Sequence, residues 1–231
     1  MIRGFTMIEL LVGLTLMLTV FSLVITNMGQ SVKTARDLTR RQNLLEAVFF
    51  TVDRLKEDLV KCGMRFQELR RVWDIPVISH TPSSVAITYG KAGTFLSQPA
   101  QKGEDWLMAE NLHCFAKNKQ IVIYDPAFQA HEFAKIRRIR NGLIHLQEKL
   151  VHGYPENAVV ILIRRIEYKY YQKQGILKRK VDRGYFQPLV EEVTDFQVSV
   201  SPRNPALLYR LEINRREQVQ GYIFLNNMVL K

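Results

Sequence analysis

The side chains able to carry chemistry are few, and most stand alone. Five histidines, His80, His113, His131, His145 and His152, are isolated, with no pair at the spacing that sets two imidazoles on one helix face around a metal. Cys62 and Cys114 lie far apart and form no CxxC motif, so no zinc site is expected. Two readings of these cysteines stay open: a disulfide, if this part of the chain lies outside the cytoplasm, or two separately buried thiols. Glu104 and Asp105 are neighbours leading into Trp106, which reads as a solvated loop rather than a pair of opposed catalytic carboxylates. There is no GxSxG turn and no phosphate-binding glycine loop. The chain is therefore expected to be neither an enzyme nor a carrier of a metal or cofactor. Glu9 is the exception among these scattered groups. It is the one ionisable side chain between Phe5 and Thr26, a run of about 22 residues that is long enough to cross a bilayer. A carboxylate placed there is costly unless something pairs with it.

The elements that must position Glu9 follow from the hydropathy pattern. With 231 residues, 47% of them hydrophobic and 24% charged, the chain can bury a proper core. The apolar residues are unevenly spread, which describes a membrane segment joined to a soluble part. After Met28 the chain becomes polar on one side, while Val32, Ala35, Leu38, Leu45, Val48, Val52, Leu55, Leu59 and Cys62 keep a spacing of three and four. No proline occurs before Pro76, and Gly63 is a natural helix stop. The two stretches predict one helix from Phe5 to Lys61, about 85 Å long at the usual rise. Its second half is expected to lie against a globular part, with a coiled coil as the other reading of the stripe.

Beyond Gly63 the pattern turns to strands. Val85–Tyr89, Gln120–Tyr124 and Ala158–Ile163 are β-rich runs, and Asn141-Gly142 between Lys135–Arg140 and Leu143–Glu148 signals a hairpin. Phe196, Val198 and Val200 alternate with polar residues, as do Leu207, Tyr209, Leu211 and Ile213, and Tyr222–Leu225 supplies a last strand. Thr94–Gly103 is the best loop candidate. Tyr168, Tyr170 and Tyr171 read as strand aromatics that belong to a core. The formal net charge of +11 comes from short groups such as Arg137-Arg138, Arg164-Arg165, Lys178-Arg179-Lys180 and Arg215-Arg216. That balance suits nucleic acid, anionic lipid or an acidic partner, and solvated strand faces are the plainer reading.

The start of the chain carries a resemblance. Met1-Ile2-Arg3-Gly4 is a very short basic leader, and the apolar run after it ends in Val24-Ile25-Thr26-Asn27-Met28 without the small-residue site of an ordinary secretory signal. Arg3-Gly4-Phe5-Thr6-Met7-Ile8-Glu9-Leu10-Leu11-Val12 resembles the type IV prepilin signal. The resemblance implies cleavage by prepilin peptidase between Gly4 and Phe5, N-methylation of Phe5, and docking of Glu9 on the amino terminus of a neighbouring subunit. It also implies an α+β, type IV pilin-like fold. Residues 1–4 would be the leader, 5–27 the transmembrane and filament-core helix, 28–63 the amphipathic helix and 64–231 a β-rich head.

Within that family, Leu55-Lys56-Glu57-Asp58-Leu59-Val60-Lys61-Cys62-Gly63, Arg165-Ile166-Glu167-Tyr168-Lys169-Tyr170 and Leu189-Val190-Glu191-Glu192-Val193-Thr194-Asp195-Phe196 are similar to larger minor subunits of the PilW or GspJ (PulJ) type. The resemblance implies a minor pilin or pseudopilin that helps to initiate a type IV pilus or type II secretion pseudopilus, at or near its tip. Its partners would be other major and minor pilins or pseudopilins, the peptidase and the inner membrane, with the head on the periplasmic side. The alternative is a subunit of a competence filament whose basic head binds DNA.

Overall fold

Helix-favouring residues without an interrupting proline run on from the apolar segment into the charged one, and they form one helix, α1 (Met7–Val60). The computed structural model describes residues 7–65, 77–127, 130–200, 206–215 and 217–225. The chain divides into two compact units, Met1–Phe49 and Phe50–Lys231. In the first unit Val32, Ala35 and Leu38, at the head of the expected stripe, are exposed. The stripe is buried only further on, and in the second unit Val52, Leu55, Leu59 and Cys62 are all inside. The periodicity identifies an apolar face, but burial needs a surface to cover it.

The second unit is built on β-strands. They are β1 (Ile78–Thr81), β2 (Ser84–Phe95), β3 (Trp106–Met108), β4 (Gln120–Tyr124), β5 (His131–Arg140), β6 (Leu143–Leu146), β7 (Val159–Tyr171), β8 (Ile176–Val181), β9 (Gln187–Val190), β10 (Val193–Val200), β11 (Ala206–Ile213) and β12 (Glu217–Phe224). β1 to β9 form one sheet in the order β1-β2-β7-β4-β5-β6-β3, with β8 on β7 and β9 on β8, while β10-β11-β12 form a second. β7 is the hub. Its first residues pair with β4 through Val159–Leu162, its last six pair with β8, and β2 runs along nearly its whole length. Val160–Ile163 are all buried, so both faces of β7 are covered there, and from Arg164 onward burial alternates.

The chemistry of the turns matches the chain direction. Asn141 (φ 53°) and Gly142 (φ 76°) occupy the left-handed region between β5 and β6, which is the mirror-image turn a two-residue hairpin requires. Gly63 (φ 70°) ends the helical run, and its N–H donates to Thr88 O on β2 (3.2 Å). One residue further, Met64 O accepts from Gly90 N (2.9 Å). A Cβ on Gly90 would sit 2.9 Å from the Arg65 Cβ and 2.7 Å from the Ile161 Cγ2, so only glycine permits this approach. Two sequence expectations need correction. Thr94 and Phe95 belong to β2 rather than to a loop, because β2 continues past a bulge at Gly90/Ala92 to stay paired with β7. Cys62 and Cys114 are both free thiols: Cys62 is buried at the helix exit with its Sγ 3.4 Å from Val77 O, whereas Cys114 is exposed in a turn.

One buried charge ties the helix end to the sheet. Asp58 is 1% exposed and accepts from Tyr168 Oη on β7 (2.6 Å) and from Arg179 Nε on β8 (2.8 Å), with Arg179 Nη2 also at 2.8 Å. Lys61 Nζ stands 3.7 Å away at the rim. Tyr168 Oη is also 3.2 Å from Arg54 O. Burial, reinforced by the hydrogen bond and charge of Asp58, pushes the Tyr168 phenol far above its ordinary value. Burial disfavours the charge on Arg179, but the Asp58 carboxylate outweighs it and the guanidinium is held more firmly protonated. Between the sheets, Tyr170 Oη lies 3.0 Å from Val193 O and 3.0 Å from Thr194 O, joining β7 to β10.

Asp58→Ala is expected to cost about 3–5 kcal/mol, because it strands a buried guanidinium and a phenol; the urea midpoint of the full chain in detergent, followed by near-UV circular dichroism, checks it. The folded chain keeps the Tyr168 proton that the unfolded chain releases near 10.0. Its contribution is therefore complete below that pH and is lost as pH rises above it. Tyr168→Phe should flatten that part of the alkaline stability curve, and an unchanged curve would refute the assignment. Thiol labelling should also separate the cysteines. Burial pushes Cys62 up to about 12, so a native chain treated with iodoacetamide at neutral pH should gain one adduct, on Cys114, and a second only after denaturation.

Candidate functional site

Helix α1 places Glu9 in its first turn, where a carboxylate faces the positive end of the helix dipole. From Leu10 to Val32 no further ionisable side chain occurs. The helix contains a window of mean hydropathy 2.4, none of it buried, and is long and apolar enough to cross a membrane. Leu11, Leu14, Leu18, Phe21 and Ile25 are all more than half exposed. The hydroxyls within this run are satisfied by the helix itself: Thr15 donates to Leu11 O (3.0 Å), Thr19 to Thr15 O (2.8 Å) and Thr26 to Ser22 O (2.9 Å). Such back-bonding removes the hydroxyl cost in hydrocarbon. Glu9 is the one ionisable side chain in the apolar stretch. Gly4 and Phe5, the residues expected to be processed, lie outside the described residues.

In the second unit the topology gathers cations that are remote in sequence. A cleft of about 680 Å³ is lined by Lys117 and Lys119 before β4, Lys135 on β5, Arg164 and Arg165 on β7, and Arg183 after β8, with Asp182 as its single acid. Asp182 holds the site in register. Its Oδ2 accepts from Lys119 Nζ (2.7 Å), its Oδ1 accepts from Arg165 N (3.1 Å), and its own N–H donates to Arg165 O (2.7 Å). Arg164 Nε is 4.0 Å from Asp182 Oδ2, too far for a hydrogen bond, and is buried without an acceptor among the described residues. Sequence reading treated Arg164-Arg165 as a solvated pair; their adjacency was visible, but the lysines before β4 and on β5 reach them only through sheet pairing.

The remaining sequence candidates are not assembled. Among the described residues no three histidine, cysteine or acidic side chains come together as metal ligands. His131 packs edge-on against Phe133 at 5.9 Å, and His113 Nδ1 lies 3.8 Å from Cys114 Sγ. Glu104 Oε2 accepts from Gln101 N (2.8 Å), which makes it a turn residue. The residues that sequence reasoning missed are Asp58 and Arg179, separated by 121 positions. The one available signal was the polar Asp58 on the buried stripe.

Replacing Leu18 by lysine places a charge in the middle of the apolar run at about 3 kcal/mol. The variant is expected to leave the membrane pellet under alkaline extraction while the parent chain stays in it; equal retention would mean that this helix does not anchor the chain.

The comparisons with known proteins are sparse. The sequence matches no protein-family model and no curated protein. Among solved structures, the Gp54 tailspike of Acinetobacter baumannii bacteriophage AP22 in complex with A. baumannii capsular saccharide is similar over 34% of this chain and 15% of the tailspike chain, at 13% identity and a TM-score of 0.29.

Proposed function

We propose that this chain is a type IV pilin-like subunit of the minor pilin or pseudopilin kind. It is made as a prepilin, cut by prepilin peptidase between Gly4 and Phe5, N-methylated on Phe5, and held by α1 in the inner membrane with its head on the periplasmic side. It then enters a type IV pilus or type II secretion pseudopilus and helps to initiate it, at or near the tip. The observation that carries this reading is Glu9: the one ionisable side chain in the exposed apolar stretch that opens α1. A carboxylate within an apolar layer is stabilised by a cation brought to the same depth. An amino terminus freed at Phe5 on a neighbouring subunit supplies one, so cleavage and docking are two halves of a single device. The β-rich head and the continuous helix Met7–Val60 agree with an assembly role.

The test is the intact mass of the chain extracted from membranes with and without prepilin peptidase. Loss of Met1–Gly4 plus one added methyl group, only when the peptidase is present, is expected. Retention of the leader in both cases would overturn the proposal. Glu9→Ala should insert and be processed normally yet be depleted from sheared filaments, and incorporation at the parent level would remove Glu9 from the mechanism.

A further inference from the structure

We infer that the cleft between β4, β5, β7 and the β8–β9 turn is a binding site for single-stranded nucleic acid, gripping the phosphate backbone beside the exposed ring of Tyr185. The inference stands apart from the filament reading, because it rests on the head alone. Six cationic side chains surround one carboxylate in the cleft. Asp182 satisfies Lys119, whereas Lys117, Lys135 and Arg183 have no acidic partner among the described residues. Arg164 keeps a buried Nε–H without an acceptor. A buried donor left unmatched is costly, and a guanidinium is shaped to bind an oxyanion through two donors. The site thus awaits an anion with several charges.

The neighbouring residues choose among anions. Tyr185 follows the cleft-lining Gly184 and is 94% exposed, far more than a core aromatic. Phe186 meets Tyr171 edge-on at 5.7 Å. Lysines stand over these rings: Lys178 Nζ is 4.6 Å and Lys169 Nζ 5.5 Å from the Tyr171 centroid, and Lys180 Nζ is 5.2 Å from that of Phe186. An exposed ring next to a cation-lined cleft suits a ligand that alternates phosphates with flat bases, whereas an acidic peptide would need only the cations. Asp182 takes a second role in this arrangement. It is the resident anion, ordering the empty cleft and competing with an incoming phosphate.

The test is fluorescence anisotropy of the full chain in detergent micelles with a labelled thymidine oligonucleotide of about 16 nucleotides. Binding at low salt is expected to weaken as salt rises, with a slope of about −0.7 per phosphate held. Arg164→Gln should weaken it about tenfold and flatten the slope. Asp182→Asn keeps the acceptor for Arg165 N and tolerates the turn, so it should fold normally and bind more tightly. Tyr185→Ser should lower affinity for the thymidine oligonucleotide at least about fivefold and leave an abasic strand of equal length unaffected. No binding at low salt, or no tightening in Asp182→Asn, would overturn the site. Displacement by polyglutamate at equal charge concentration, together with an inert Tyr185→Ser, would overturn the nucleic-acid assignment in favour of an acidic peptide.

Discussion

A buried carboxylate cannot be left to itself, and Asp58 sets the terms for the part of the chain that holds it. Taking Asp58 out of water costs several kcal/mol unless its oxygens are matched. The match comes from Tyr168 on β7 and Arg179 on β8, whose positions depend on the pairing that sets Tyr168 opposite Arg179. A one-residue slip of β8 would turn Arg179 to the other face and leave the carboxylate uncompensated. The last turns of α1 and the β7–β8 register are therefore specified together. Apolar packing by Leu55 and Leu59 alone would tolerate more sliding.

The same hub strand organises the basic surface. β7 carries Tyr168 to the helix and Tyr170 to the second sheet, and it presents Arg164 and Arg165 where β4 and β8 leave it on either side. Because β4 pairs with β7 only as far as Leu162 and β8 begins its pairing at Ile166, a gap opens between them. The gap is the cleft, and Asp182 spans it by bonding to Lys119 and to the backbone of Arg165. Charges that repel one another are kept close by strand pairing and by that one acid, at an electrostatic cost that an anion would relieve.

The two units obey different constraints. In the head, the carboxylates of Asp58 and Asp182 are matched by partners distant in sequence. In the apolar helix, Thr15, Thr19 and Thr26 are matched within four residues, as a helix in hydrocarbon would require. Glu9 is the one ionisable side chain of that segment, which makes it the most informative residue there.

The sequence by itself determined what depends on neighbours along the chain. The apolar run around Glu9, the helix stop at Gly63, the Asn141-Gly142 hairpin and the alternation in β10 and β11 were legible because they follow from backbone preference and short periods. The same local logic overextended the buried stripe to Val32, Ala35 and Leu38, since periodicity marks a face without saying where a surface covers it. It also set a loop at Thr94, where pairing with β7 keeps β2 extended. Only the tertiary structure decided the separation of Cys62 from Cys114, the pairing of Asp58 with Arg179, and the convergence of Lys119, Lys135 and Arg164. Each is a contact between distant segments, fixed by strand order and register, and no local pattern encodes which strand lies beside which.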